Sequence, residues 1–250
     1  MENTTMENTR TKTARNSLIP LLTAAIWGMA FVSQSKGMDY MHPFTFNGVR
    51  SLIGAASILV YILISRKIAG DKAAPLDWKL NVKAGLLCGI FLTIASTLQQ
   101  FGIKYTSVGK AGFITTLYII FVPMFGIFLK KKVAPVVWAA AVMAAVGMYL
   151  LCMTESLRLG AGDIMVFLCA IAFAIQIMTV DHYAARIDGA VVSCIQFTVC
   201  GVVCCIGALI WGQPTFGQLQ EGLGALLYAG VLSCGVGYTL QIVGQKGLNP

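Results

Sequence analysis

Apolar residues fall in long unbroken runs, separated by short polar stretches. Eight such runs stand out: Leu18–Met38, Phe44–Ser65, Leu80–Ile103, Val108–Leu129, Ala134–Cys152, Ile164–Tyr183, Ala190–Trp211 and Leu223–Gly244. Runs of about 18 or more apolar residues have the length of a helix that crosses a bilayer. The runs are continuous and do not alternate, which argues against a membrane β-barrel. The longest connection, "RKIAGDKAAPLDWK" from Arg66 to Lys79, is polar and carries Gly and Pro. No connection is long enough to form an extramembrane domain. The opening stretch, residues 1–17, is polar and mildly basic, and reads as a tail. The run after it spans a bilayer and lacks a clear A-x-A cleavage site, so it reads as a first membrane helix.

Composition sharpens this reading. Of 250 residues, 57% are hydrophobic and 11% charged, and the mean hydropathy is +0.78. A soluble domain carries roughly 25% charged residues, and this chain has too few polar groups to coat a globule. The predicted class is an all-α polytopic membrane protein in a lipid bilayer. The net charge of +8 resides between the runs, where it sets topology and does not point to nucleic acid. With the N-terminus inside, twelve Lys and Arg are cytoplasmic, among them Arg66, Lys67, Lys130 and Arg186. Four are not: Lys36, Lys104, Lys110 and Arg158. That bias predicts a cytoplasmic N-terminus in the cytoplasmic membrane. The eight cysteines lie in or at the end of apolar runs without metal-ligand spacing, and read as small packing residues. No cofactor or metal is expected.

Two segments repeat. "TLQQFGIKYTSV" begins at Thr97 and "TLQIVGQKGLNP" at Thr239, and they share five of twelve positions. The first closes span three and the second closes span eight, so the repeat unit is five spans. An odd unit inserts its second copy upside down, as in many secondary transporters. Arg50 and Gln196 also match, each six residues into its span. On this reading 18–152 is the first five-helix repeat and 163–250 an incomplete second one with three helices. Eight of an expected ten helices are present, and ~45 residues would complete the second copy. The chain is then either partial or a natural eight-span protein. In the second case the cavity lacks one wall, and the chain either forms a homodimer that supplies it or does something other than transport.

The stretches "AAIWGMAFVSQSKGMDYMHPFTFNGVRSLIGA" (Ala24–Ala55) and "YTSVGKAGFITTLYIIFVPMFGIFLKKKVAPVVWAAAVMAAVGMYLLC" (Tyr105–Cys152) resemble the EamA repeat of the drug/metabolite transporter superfamily. The shared features are Trp-Gly in the first helix, Pro at the start of the second and an Arg soon after. The resemblance implies ten helices in two inverted repeats, with both termini cytoplasmic. Members often carry an acidic residue at the end of the fourth helix. Lys130, Lys131 and Lys132 stand there in this chain, so no role for that carboxylate carries over.

The ten carboxylates and both histidines lie at termini, loops or span edges. An intramembrane enzyme needs an ionisable or metal constellation at depth, so the chain does not read as an enzyme. What lies at depth is amide and aromatic. Gln34, Gln99, Gln100, Gln176, Gln196 and Gln241 each need a partner helix or a wet cavity. Gln99 and Gln241 are set apart by the repeat, one near the outer end and one near the inner. Arg50 lies ~9 Å below its surface. It either snorkels there or meets a fixed partner, such as a backbone carbonyl or Asp39. Trp27, Tyr118 and Tyr238 are aromatic rings too deep for an interfacial belt. Pro123 is expected to kink the fourth span.

These ten residues, Trp27 to Gln241, are the candidate lining of a substrate cavity. The expected function is secondary transport of a small metabolite, an amino acid, a related compound or a drug, by alternating access. The alternative is a non-transporting partner or sensor built on a truncated transporter fold. A cavity shared by Gln99, Gln241 and Trp27 discriminates the two.

Overall fold

The computed structural model describes residues 2–70, 75–128, 135–152 and 160–245. Lys72, Lys130, Lys131, Lys132, Arg158 and Lys246 lie outside the described residues, as does the end of the second repeat copy. The first half holds α1 (Glu2–Gly37), α2 (Pro43–Ala69), α3 (Trp78–Tyr105), α4 (Val108–Thr116), α5 (Tyr118–Phe128) and α6 (Pro135–Cys152). The second holds α7 (Ala161–Ala184), α8 (Gly189–Gly207), α9 (Phe216–Glu221), α10 (Leu223–Leu227) and α11 (Tyr238–Gln245). Two π-helical stretches, Ala208–Gly212 and Tyr228–Gly237, continue α8 and join α10 to α11. No strand occurs among the described residues.

Six stretches are long and apolar enough to cross a membrane: Pro43–Ala69, Trp78–Tyr105, Val108–Phe128, Ala161–Ala184, Gly189–Gly212 and Leu223–Gln241. They fall on six of the eight expected spans. α1 and α6 cover the other two. Leu59, Leu63, Ile64, Ile94, Leu209 and Ile210 are exposed. Such an apolar exterior needs lipid, not water, around it. The chain is an all-α polytopic membrane protein.

Local chemistry sets the helix starts. His42 caps α2 by accepting from the Phe44 N–H, and Pro43 follows in the first turn. Asp77 caps α3 through the Leu80 N–H at 3.0 Å. Ser107 caps α4 through the Lys110 N–H at 3.2 Å, and Asp188 caps α8 through the N–H groups of Ala190 and Val191. Each side chain accepts a hydrogen bond from a donor the helix cannot satisfy itself. The fourth span breaks at Leu117, between α4 and α5, and Pro123 lies inside α5. The break lies six residues before Pro123, and α5 continues through the proline.

α2 packs on α8, α3 on both α7 and α8, and α1 on the Tyr228–Gly237 stretch and α11. Small residues permit this. Gly102 of α3 and Gly162 of α7 face each other, and a Cβ on either would stand 2.8–2.9 Å from the other's carbonyl oxygen. The core between α2, α3 and α8 joins Ile58, Leu92, Phe197, Cys200 and Cys204. Seven described cysteines are free thiols, most of them buried.

Polar clusters tie the helix ends. Asp163 is buried. It accepts from the Thr106 hydroxyl and the Gly160 N–H, with the Lys110 ammonium 3.9 Å away. At the other end, the Asp188 N–H donates to Asn81 Oδ1 at 2.9 Å, and Arg66 lies 3.8 Å from the Asp188 carboxylate.

Candidate functional site

The helices leave a cavity of about 730 Å³ between the two halves. Its wall is drawn from α1, α2, α3, α4 and the start of α5 on one side. α7, α8, the Tyr228–Gly237 stretch and α11 supply the other. Eight of the ten candidates line it: Trp27, Gln34, Arg50, Gln99, Tyr118, Gln176, Tyr238 and Gln241. Gln100 and Gln196 are not among the lining residues. Each stands behind the wall and holds a residue of it. Gln100 Nε2 donates to the Gln34 carbonyl at 3.2 Å, and Gln196 Oε1 accepts from Gln176 Nε2 at 3.0 Å. Gln99, Gln241 and Trp27, far apart in sequence, share one space.

Arg50 is only 5% exposed, so its side chain does not snorkel to a surface. Its partner is not Asp39, which is exposed, nor a backbone carbonyl. Arg50 Nε donates to Asn47 Oδ1 at 2.9 Å, and the guanidinium carbon sits 5.7 Å from the centre of the Phe46 ring. Asn47 is held in turn. Its Nδ2 donates to Ser96 Oγ at 3.1 Å and lies 3.3 Å from Cys204 Sγ. With its amide N–H groups engaged on α3 and α8, Asn47 presents its carbonyl oxygen to Arg50. Asn47 and Phe46 were missed by sequence reasoning. The signal was available in "FNGVR", where an amide precedes the arginine by three residues, one helical turn.

The aromatic wall is also fixed. Trp27 Nε1 reaches the Ser233 carbonyl at 3.4 Å, which joins α1 to the π-helical stretch. Its ring lies 5.1 Å from that of Tyr238, and Tyr238 meets Phe197 edge-on at 4.7 Å. Gly237 makes this possible, because a Cβ there would stand 2.7 Å from Trp27 Nε1. Phe31, Phe113 and Phe173 add further apolar wall. Gln99 Nε2 donates to Thr115 Oγ1 at 3.3 Å, linking α3 to α4. Gln34 Oε1 is buried without a hydrogen-bond partner among the described residues.

The result is an apolar, aromatic chamber with a few amide and hydroxyl groups and, among the described residues, a single charge. Such a chamber can hold a small amphipathic molecule. It has no nucleophile–base pair, and no cluster of His, Cys, Asp and Glu suited to a metal occurs among the described residues.

A model of the EamA-like transporter family matches residues 16–153 and again residues 160–250. The chain belongs to the EamA-like transporter family. The two matched regions are the two sides of the cavity. An uncharacterized transporter of Archaeoglobus fulgidus is 30% identical over 169 residues, which is 65% of this chain and 48% of that protein. This chain therefore covers about half the length of that relative. YwfM of Bacillus subtilis, also an uncharacterized transporter, is 26% identical over 236 residues, 93% of this chain and 77% of its own length. One protein of known crystal structure superimposes with a TM-score of 0.71 at 18% identity, covering 93% of this chain and 79% of that one. At that identity the likeness concerns the fold alone.

Proposed function

We propose that this EamA-like protein is a secondary transporter, moving a small metabolite across the cytoplasmic membrane by alternating access. The observation that carries the reading is the shared cavity. Trp27 and Gln99 of the first matched region and Tyr238 and Gln241 of the second line one space of about 730 Å³. A substrate site at the interface of two repeats is where alternating access needs it.

The two regions act as inverted copies. On a five-span unit, the contact of α3 with α7 has as its counterpart the contact of α1 with the last span. The contact of α3 with α8 likewise corresponds to that of α2 with the Tyr228–Gly237 stretch. Both pairs of contacts occur. The break at Leu117 and the π-helical stretch Tyr228–Gly237 lie on opposite walls, and serve as the places where each side bends. The excess of Lys and Arg on one side supports a cytoplasmic N-terminus.

The test is exchange in proteoliposomes holding the purified protein. Vesicles preloaded with an unlabelled metabolite mixture are given the labelled compounds one at a time. A carrier that alternates takes up its labelled substrate faster when preloaded. Binding without any flux would favour the partner or sensor reading instead.

A further inference from the structure

Arg50 is the only charged residue among the described residues lining the cavity; no Asp, Glu, Lys or second Arg joins it. Its side chain is more than nine-tenths buried. Of its nitrogens only Nε has a hydrogen-bond partner, Asn47, among the described residues. Among the described residues no carboxylate lies within ion-pair distance of it. An arginine placed only to brace a helix spends its fork on a carboxylate or on carbonyl oxygens, because a buried unpaired charge is costly. Here the amide of Asn47 and the ring of Phe46 hold the guanidinium by its inner nitrogen and one face. The two terminal nitrogens, the pair whose geometry matches a carboxylate, have no hydrogen-bond partner among the described residues, and Arg50 belongs to the cavity lining.

We propose that the cavity takes an organic monoanion: a carboxylate carried on an apolar or aromatic body, with its oxygens on the terminal nitrogens of Arg50. This deepens the transport reading above and rests on it. The charge count selects the class. One buried guanidinium neutralises one carboxylate, so the loaded cavity carries no net charge. A dianion would leave one negative charge unmatched, and a cation would meet Arg50 with no acidic residue to offset it. Trp27, Phe173, Phe197 and Tyr238 supply walls for an apolar body.

The test uses three probes of the same size and shape: 3-phenylpropionate, its primary amide and 3-phenylpropylamine. Each is titrated calorimetrically into the protein in phosphatidylcholine nanodiscs, with empty discs as blank. The expected result is that the carboxylate binds at least about tenfold tighter than the amide, with the amine weakest. In Arg50→Gln the carboxylate preference over the amide disappears. In Arg50→Lys, which keeps the charge but not the fork, preference survives in reduced form. Equal binding of the three probes by the unaltered protein would overturn the anion proposal and leave the cavity standing as a transport site. So would a carboxylate preference that persists in Arg50→Gln. Binding of none of the three would overturn the proposal and the assignment of the cavity as a substrate site together. The comparison within the unaltered protein decides the matter even if Arg50→Gln does not fold.

Discussion

Arg50 Nε donates to the side-chain oxygen of Asn47, one turn earlier on α2, at 2.9 Å. The bond is short, buried at both ends and made by a charge, which places it among the stronger hydrogen bonds a protein forms. It fixes where the one charge of the cavity points. Asn47→Asp would put a carboxylate beside the guanidinium and neutralise the chamber without changing its shape. The expected outcome is a fold that survives and an affinity for 3-phenylpropionate that drops at least about tenfold. Titration of the variant in nanodiscs checks it; undiminished affinity would show that the net charge of the chamber does not govern binding.

Gly237 lets Trp27 sit against the π-helical stretch. In Gly237→Ala the new methyl would stand 2.7 Å from Trp27 Nε1, so the indole must leave the Ser233 carbonyl. The tryptophan emission that is lost on Trp27→Phe should then shift in Gly237→Ala, and flux should drop. An unchanged emission spectrum would mean that the indole is not held as described.

Much of this site was legible in the sequence, for a physical reason. A glutamine, arginine or deep tryptophan inside an apolar run must find a partner or a wet cavity. The runs therefore mark Trp27, Gln99 and Gln241 by contrast. The repeat adds that Gln99 and Gln241 belong together. What was not legible depends on which neighbour a side chain finds. Gln100 and Gln196 look the same in sequence as Gln99, yet they turn toward other amides. Arg50 has Asp39 nearby in sequence, but α2 carries its side chain inward, toward Asn47 on its own helix. Asp163 reads as an edge charge and is instead buried, where the Thr106 hydroxyl, the Gly160 N–H and the Lys110 ammonium offset its loss of water. Pro123 announces a bend but does not say where, since the break at Leu117 also depends on what α4 and α5 pack against. The π-helical stretch at Tyr228–Gly237 has no residue signature beyond its glycines.

Gly102 and Gly162 set the distance between α3 and α7. A methyl group at Gly102 would stand 2.9 Å from the Gly162 carbonyl oxygen, with Val166 closer still. Backbone cannot turn aside as a side chain can, so the helices must separate. Gly102→Ala should cost about 1–3 kcal/mol of stability. Its melting temperature in detergent should fall, whereas that of Gly112→Ala, where a Cβ meets nothing within 4 Å, should not. Equal melting of the two variants would contradict the close approach.

His42 gives a pH dependence. Its pKa is lowered from the ordinary 6.5, first by burial and then by the positive charge of Lys104. The ring packs against Phe44 and Phe101, and its Nδ1 accepts the Phe44 N–H at 3.3 Å, a role that protonation removes. The folded protein therefore binds this proton less readily than the unfolded chain. Its contribution to stability is full above about pH 6.5 and falls as the pH drops below that value toward the folded pKa. His42→Asn keeps a capping side chain without the titration. Thermal melts between pH 7.5 and 5.5 should show the unaltered protein losing more stability than the variant; parallel losses would rule out His42 as the cause.

The central claim is that Gln99 and Gln241, one from each matched region, serve a single transport cavity. The most direct measurement is uptake of the labelled metabolite panel by proteoliposomes holding Gln99→Ala or Gln241→Ala, at matched protein content. Loss of one amide hydrogen bond to substrate should lower flux by about fivefold in each variant, with membrane expression unchanged. Flux equal to that of the unaltered protein in both variants would contradict the account.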